Sequence, residues 1–123
     1  MADADKKILI VENDEIVSKV LEWRLTGLGY TVSGKTATGQ GAINLTNKTR
    51  PDAILMDIGL DGSMDGIETA KIIQEKFNIP IIFLTAHSDT TVLERIFPLK
   101  PANFITKPFT DDDLRVALRL SID

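Results

Sequence analysis

The sequence predicts an α/β domain in which one doubly wound, five-stranded parallel sheet carries helices on both faces. Five short apolar runs, rich in β-branched residues, recur along the 123 residues and are typical of strands buried on both faces. The segments between them carry apolar residues at helical spacing. This regular alternation of strand and helix is the pattern of a parallel sheet with crossover helices.

The first third of the chain contains two strands, each followed by a helix. Ile8–Val11 is a continuous apolar run and forms the first predicted strand. Glu15–Leu28 has apolar residues at helical spacing, and Gly29 provides a stop signal at its C-terminal end. Tyr30–Val32 is the second predicted strand, and Gly39–Lys48 is a weaker amphipathic helix.

The middle of the chain repeats this pattern twice. Ala53–Met56 is the third predicted strand, and Ile67–Phe77 is the helix that follows it after a loop rich in Gly and Asp. Ile81–Leu84 is the fourth strand. A fourth helix begins near Thr90 and must end before Pro98, because proline cannot continue a helix interior.

The C-terminal part supplies the fifth strand, Asn103–Ile105, and a last helix that runs to the end of the sequence. Thr110 can cap this helix, and three aspartates favour its first turn electrostatically. The length corresponds to one domain, and no repeat or linker divides it. We therefore expect residues 1–123 to form a single domain, which is either a whole protein or a piece of a longer protein.

Composition excludes several classes of function. The 14 basic and 18 acidic side chains give a net charge of −4, which argues against nucleic acid as a direct partner. The absence of cysteine excludes disulfides, zinc–thiolate sites and thiol catalysis. No apolar run approaches the length of a membrane span, and the polar segment Met1–Lys7 is not a signal peptide. We expect a cytoplasmic domain.

Reactive side chains cluster at the carboxyl ends of four predicted strands, where open α/β sheets bind ligands. Glu12 and Asn13 follow the first strand, Asp57 the third, Thr85 the fourth and Lys107 the fifth. Carboxylates are hard oxygen donors suited to Mg²⁺. Lysine and hydroxyl groups can bind phosphoryl oxygens. An aspartate in this setting is suited to attack phosphorus, which would form an aspartyl phosphate at Asp57.

Five motifs occur in a fixed order, four at these strand ends and one, Met64–Glu68, at the start of the third helix. The other four are Val11–Asp14, Met56–Ile58, Leu84–Ala86 and Lys107–Phe109. With these motifs the chain resembles a response-regulator receiver domain over nearly its whole length. No single motif is specific, but their joint order and spacing are. The resemblance implies a flavodoxin-like sheet with the strand order 2-1-3-4-5.

The resemblance also implies the metal site. Asp57 corresponds to the phosphoacceptor, and Mg²⁺ or Mn²⁺ would be held by Glu12, Asn13, Asp57 and the backbone carbonyl of Gly59. Asn13 departs from the family, which usually has a second acid there. Counting Glu12, Asp57 and Lys107 gives the site a charge of −1, against −2 with an acid at position 13. We expect weaker metal binding, and we expect neighbouring Asp14 to cap the first helix rather than to compensate.

The remaining roles follow from the same resemblance. Thr85 and Lys107 would contact the phosphoryl group, and Phe104 occupies the position of the switch aromatic. His87 and Gly59 lie at the two positions that tune dephosphorylation. Because Gly59 has no side chain, control of the attacking water would fall to His87, whose charge can change near neutral pH.

The expected function is that of a switch, with self-dephosphorylation as its only turnover. A histidine kinase or histidine phosphotransfer protein would donate the phosphoryl group. Phosphorylation would then remodel the surface of the fourth helix, fifth strand and fifth helix, through which the resemblance also allows a homodimer. The downstream target is not encoded in any motif.

Trp23 is interpreted as a boundary residue that covers the core, or alternatively as part of a partner-binding face.

Three other functions remain open at this point. Because Asn13 stands where the family usually has a second acid, one alternative is a pseudo-receiver that works without phosphorylation. Residues 57–68 partly fit an EF-hand calcium loop, although the preceding Ala53–Met56 favours a strand over the entering helix that an EF-hand needs. A haloacid-dehalogenase-type phosphatase would also use a strand-end aspartate, but it usually needs a second aspartate where this chain has Gly59.

Overall fold

The computed structural model describes residues 6–60, 64–85, 94–99 and 103–122. Five strands form one sheet in the order β2-β1-β3-β4-β5, and every neighbouring pair is parallel. This confirms the predicted fold class and strand order. The strands are β1 (Lys7–Val11), β2 (Thr31–Thr36), β3 (Ala53–Asp57), β4 (Ile81–Thr85) and β5 (Asn103–Thr106).

The helices follow the strands as predicted. They are α1 (Glu15–Gly27), α2 (Gly39–Thr49), α3 (Gly66–Lys76), α4, which is described over residues 94–96, and α5 (Asp111–Ile122). A 3₁₀ turn, Phe97–Leu99, follows α4 directly and contains Pro98, where the α-helix was expected to have ended. The predicted start of α4 near Thr90 lies outside the described residues. No described helix is both long enough and apolar enough to cross a membrane.

The prediction for β2 was too short. The strand extends to Thr36 and includes Gly34 and Lys35, which were expected to follow it. Pairing with β1 overrides the low strand preference of glycine, and an irregularity in the register opposite Ile8 and Leu9 accommodates the extra residue. The pairing continues beyond β1, because the Glu12 N–H donates to the Thr36 carbonyl at 3.0 Å.

The sheet separates two apolar cores because successive strand residues point to opposite faces. On one face α1 and α5 pack over Ile8, Ile10, Leu55, Leu84 and Ile105. On the other face α2 and α3 pack over Leu9, Val11, Ile54, Met56 and Phe83. The buried Ile96 of α4 belongs to this second core. Packing on both faces of the sheet holds the strands in position. The residues at the carboxyl ends of the strands are therefore held in position as well.

The N-terminal caps of α1 and α5 are the residues that the sequence predicted. Asp14 caps α1 by accepting hydrogen bonds from the N–H groups of Ile16 and Val17, as expected. Thr110 accepts a hydrogen bond from the Asp113 N–H at 3.1 Å, and the Asp113 carboxylate accepts one from the Thr110 N–H at 2.9 Å. This reciprocal pair confirms Thr110 as the cap of α5.

Candidate functional site

The strand order brings four of the predicted site residues to one edge of the sheet. Glu12 directly follows β1, Asp57 ends β3, Thr85 ends β4 and Lys107 directly follows β5. The backbone N–H of Lys107 donates to the Thr85 carbonyl at 2.7 Å, which extends the β4–β5 pairing by one residue. Lys107 therefore leaves the sheet beside Thr85, which is buried.

The Lys107 side chain reaches across the end of β4 to the two carboxylates. Its Nζ lies 3.0 Å from Oε1 of Glu12 and 3.8 Å from Oδ1 of Asp57. The side chain of Glu12 is only 1% exposed and that of Asp57 12% exposed. The structure thus joins residues 95 positions apart in a buried cluster of two acids and one ammonium group. The contact with Glu12 is a charge-assisted hydrogen bond, whereas the longer contact with Asp57 is an ion pair.

The cluster changes the protonation of Asp57. The pKa of the Asp57 carboxyl group is raised to about 6, first because burial disfavours its ionised form and second because the neighbouring Glu12 hydrogen-bonds and repels it. The Lys107 ammonium and the Gly59 N–H, which donates to Oδ1 at 3.3 Å, act in the opposite direction. The single lysine therefore does not fully offset the two buried carboxylates.

This donor set fits a hard divalent cation. Glu12 and Asp57 supply buried carboxylate oxygens with excess negative charge, and half-buried Asn13 adds an amide next to them. Asp14 is engaged elsewhere, because its carboxylate caps α1 while its N–H donates to Oε2 of Glu12 at 3.0 Å. Within the described part of the chain, no group of three acidic or histidine side chains could hold a metal. A cation here would rely on two acids and neutral oxygens.

Two residues support the site in ways that sequence reasoning did not identify. A Cβ atom at Gly66 would collide with the backbone carbonyl of Asp57, so only glycine fits where α3 begins. Its N–H donates to the Ile58 carbonyl at 2.9 Å. The signal for this was present in the Met64–Glu68 motif. Arg24 of α1 hydrogen-bonds the Phe109 carbonyl at 2.8 Å, and no local pattern connects residues 85 positions apart.

The other predicted residues have different outcomes. Phe104 is half-buried on β5, in register with Phe83 of β4. Gly59 has open space around it, with nothing within 4 Å of an added Cβ. His87 lies outside the described residues. The interpretation of Trp23 as a core-covering residue is wrong, because it is 78% exposed; α1 covers the core with Leu21 and Leu25 instead.

The calcium-loop alternative lacks its first helix. Residues Ala53–Asp57 form a central strand of the parallel sheet, paired with both β1 and β4. An EF-hand requires a helix in this position to orient the loop that follows. The described residues before Asp57 therefore argue against an EF-hand, as the sequence had indicated.

Comparisons with known proteins agree with this geometry. The sequence profile of the response regulator receiver domain matches residues 8–119. The transcriptional regulatory protein PdtaR of Mycobacterium tuberculosis is 32% identical over 124 aligned residues, which cover 98% of this chain and 60% of PdtaR. The uncharacterized transcriptional regulatory protein YrkP of Bacillus subtilis is 37% identical over 108 residues, covering 88% of this chain and 46% of YrkP.

A solved structure shows the same architecture. The signal receiver domain of a modulated diguanylate cyclase from Desulfovibrio desulfuricans G20 superimposes with a TM-score of 0.88 at 34% identity, covering 94% of this chain and 92% of that one. The chain spans about 60% of the length of PdtaR and 46% of the length of YrkP. The chain belongs to the response regulator receiver domain family of two-component signalling.

Proposed function

We propose that this domain is a phosphoacceptor switch in which Asp57 receives a phosphoryl group from a histidine kinase or a histidine phosphotransfer protein. One observation carries the proposal. The Asp57 carboxylate is buried at the end of β3 and lies 3.8 Å from the Lys107 ammonium, which is held by Glu12 at 3.0 Å. A carboxylate and a compact positive charge therefore lie next to each other at a strand end, which supports a nucleophilic role for Asp57.

The transfer follows from the chemistry of these groups. An oxygen of ionised Asp57 attacks phosphorus and forms an O–P bond, while the N–P bond to the donor histidine breaks and its electron pair stays on the imidazole nitrogen. With a pKa of about 6, Asp57 is mostly ionised at neutral pH. Lys107 offsets charge on the transferring oxygens. When bound by Glu12, Asn13, Asp57 and the Gly59 carbonyl, Mg²⁺ (or Mn²⁺) would supply further positive charge there.

Readout would proceed through the neighbouring strand ends. Thr85 ends β4 next to Lys107, and Phe104 lies on the adjacent strand in register with β4. A phosphoryl group at Asp57 gives the Thr85 hydroxyl a strong acceptor, which biases the surrounding surface. Three exposed apolar side chains lie on that surface: Phe97, Val116 and Leu120. They would contact a downstream protein or a second copy of the domain.

The site would accept one phosphoryl group at Asp57 and then lose it by hydrolysis, without turning over an outside substrate. Gly59 supplies no side chain to act as acid or base toward an outside substrate, which disfavours a phosphatase of the haloacid-dehalogenase type. Hydrolysis of the aspartyl phosphate would then be tuned by His87. Replacing His87 with alanine should change the decay rate at least threefold, or about 0.65 kcal/mol in barrier height.

Mass spectrometry tests the proposal directly. The domain is incubated with Mg²⁺ and a small phosphodonor such as phosphoramidate, and the intact mass is measured for the parent, Asp57→Asn and Asp112→Asn. Asp112 is an exposed aspartate of α5 and serves as the matched control. The parent and the control should each gain one phosphoryl group, and Asp57→Asn should gain none. An equally abundant adduct in Asp57→Asn would refute the assignment.

One observation favours a second candidate, a pseudo-receiver that works without phosphorylation. Asn13 replaces an acid, and Asp14 does not compensate for it because it caps α1. In that case neither small phosphodonors nor a phosphorylated histidine kinase would modify the parent at any Mg²⁺ concentration. A stable adduct at Asp57 would exclude this alternative.

A further inference from the structure

We propose that Arg24 is a positioning residue for phosphoryl transfer, which holds the segment Lys107–Phe109 so that the Lys107 ammonium stays beside Glu12 and Asp57. The inference rests on the proposed function for its kinetic consequence. The positioning itself rests on contacts between α1 and the segment that joins β5 to α5.

Three contacts converge on the residues that follow Lys107. Nη1 of Arg24 donates to the Phe109 carbonyl at 2.8 Å in a partly buried hydrogen bond. The guanidinium carbon lies 5.4 Å from the centre of the Phe109 ring, a cation–π distance. Nε lies 3.6 Å from Oδ1 of Asp111 in the first turn of α5. The planar guanidinium thus engages backbone, ring and carboxylate together, which a lysine cannot do.

These contacts fix the base of a long, flexible side chain. Lysine loses rotamer entropy when its long side chain is held in one geometry, so an anchored backbone is needed to keep its ammonium in place. Toward the sheet, the Lys107 N–H donates to the Thr85 carbonyl at 2.7 Å. Toward α5, Lys107 is followed by Pro108, whose φ angle is restricted, and then by Phe109. The carbonyl of Phe109 is held by the hydrogen bond from Arg24. The segment is therefore anchored on both sides of Lys107.

The same helix also anchors the partner of Lys107. At the start of α1, the Asp14 N–H donates to Oε2 of Glu12 at 3.0 Å, while Oε1 accepts from Lys107. One helix therefore holds the carboxylate at its N-terminal end and the lysine segment near its C-terminal end. The Arg24–Asp111 ion pair is exposed on the Asp111 side, so its own contribution should be small. The bond to the Phe109 carbonyl is the contact expected to matter.

Kinetics with a small phosphodonor test this positioning, since no protein partner docks on α1 in that reaction. Arg24→Ala should lower the phosphorylation rate at saturating Mg²⁺ about five- to tenfold. Arg24→Lys keeps one donor for the Phe109 carbonyl and should recover at least half of the lost rate. Asp111→Asn removes only the exposed ion pair and should stay within twofold of the parent. An unchanged rate in Arg24→Ala would overturn the proposal.

A double-mutant cycle separates positioning from general destabilisation. If Arg24 acts through Lys107, Arg24→Ala should cause no further loss in a Lys107→Met background. An equal loss in both backgrounds would show that Arg24 has only a structural role. Unfolding by urea is measured for each variant. If Arg24→Ala does not fold, the cycle is run with Arg24→Gln.

Nitrogen NMR of the Lys107 ammonium group distinguishes this inference from the proposed function. A hydrogen-bonded, slowly exchanging ammonium signal assigned to Lys107 should be present in the parent and lost in Arg24→Ala. If the parent cannot be phosphorylated, the proposed function fails, while loss of this signal still supports positioning by Arg24. Retention of the signal in folded Arg24→Ala would overturn the positioning.

Discussion

The two flanks of the candidate site are held in different ways. On the α1 flank, a continuous set of bonds joins Asp14, Glu12 and Lys107, and Arg24 ties the segment after Lys107 back to the same helix. On the α3 flank, the described polar link to α4 is the ion pair between Asp65 and Arg95, at 2.7 Å. The Asp65 side chain is 28% exposed and that of Arg95 48% exposed.

This difference assigns the flanks to different tasks. The α1 flank holds the charges that the proposed phosphoryl transfer would use, and buried charge pairs tolerate little displacement. On the α3 flank, α4 is anchored by the buried Ile96 and by an ion pair that solvent screens. Among the described contacts, the polar groups that link α3 to α4 are exposed or partly exposed, so a surface that changes under the proposed phosphorylation would more readily form on this flank. The following predictions test this contrast, from the largest expected effect to the smallest.

Gly66→Ala tests whether the base of the α3 flank is rigid even though the described ion pair between α3 and α4 is exposed to solvent. The new Cβ would collide with the Asp57 backbone carbonyl, and backbone cannot give way as a side chain does. We expect a loss of about 3 kcal/mol in unfolding free energy. The matched control is Gly27→Ala, where nothing lies within 4 Å and stability should be unchanged or higher. Urea unfolding monitored by circular dichroism measures both variants. Equal stabilities would contradict the close approach.

Lys107→Met tests the charges of the α1 flank. Methionine keeps the bulk of the side chain but removes the ammonium group that lies beside Glu12 and Asp57. We expect the phosphorylation rate with a small phosphodonor to fall about a hundredfold, equivalent to about 2.7 kcal/mol. Lys48→Met, at an exposed position in the last turn of α2, makes the same charge change away from the site and should have no effect. A rate within threefold of the parent would remove Lys107 from the proposed mechanism.

The raised pKa of Asp57 gives a pH-dependent effect of known sign. Its folded pKa of about 6 exceeds the ordinary value of 3.8, so ionisation costs the folded state more than the unfolded one. Below about pH 4 the carboxyl group is protonated in both states and does not lower the free energy of unfolding. The folded state loses stability as the pH rises through 6. Without metal, Asp57→Asn should therefore be more stable than the parent at pH 7, by about 1–2 kcal/mol. The difference should shrink toward pH 4; a constant difference would contradict the raised pKa.

Asn13→Asp sharpens the comparison by adding charge to the α1 flank. A third acid beside Glu12 and Asp57 should tighten Mg²⁺ binding about fivefold, or about 1 kcal/mol. Isothermal calorimetry at one ionic strength compares the variant with the parent. Asp14 cannot mask the effect while it caps α1. Equal affinities would show that charge at position 13 does not control metal binding, and weaker binding would reverse the charge argument.

Asp65→Asn should have the smallest effect. Asparagine still caps α3, but the ion pair with Arg95 is lost, and such solvent-accessible pairs contribute less than about 1 kcal/mol. The α3 N-terminus and Arg95 hold the pKa of Asp65 below its ordinary value despite partial burial. Its small contribution is therefore present above about pH 4 and is lost as pH falls through the lowered pKa. A loss above 2 kcal/mol in urea unfolding would mean that the α3 flank is as firmly held as the α1 flank.

Local pattern accounts for most of what the sequence determined by itself. Apolar runs and helical spacing gave five strands and the helices between them, because those periods reflect which residues face a core. Asp14 and Thr110 were correctly predicted as caps, since capping depends on a few adjacent residues. The candidate site residues followed from their places after the strands and from the family resemblance.

Only the tertiary structure decided which distant groups meet. The length of β2 depended on its pairing with β1, and the exposure of Trp23 depended on how α1 rotates over the sheet. The Arg24–Phe109 bond depended on how α1 packs against the segment between β5 and α5. The raised pKa of Asp57 likewise required Glu12 and Lys107 to converge from other strands. Sequence periodicity encodes which face of an element is buried, but the separation of two side chains 95 residues apart is set by strand order and packing.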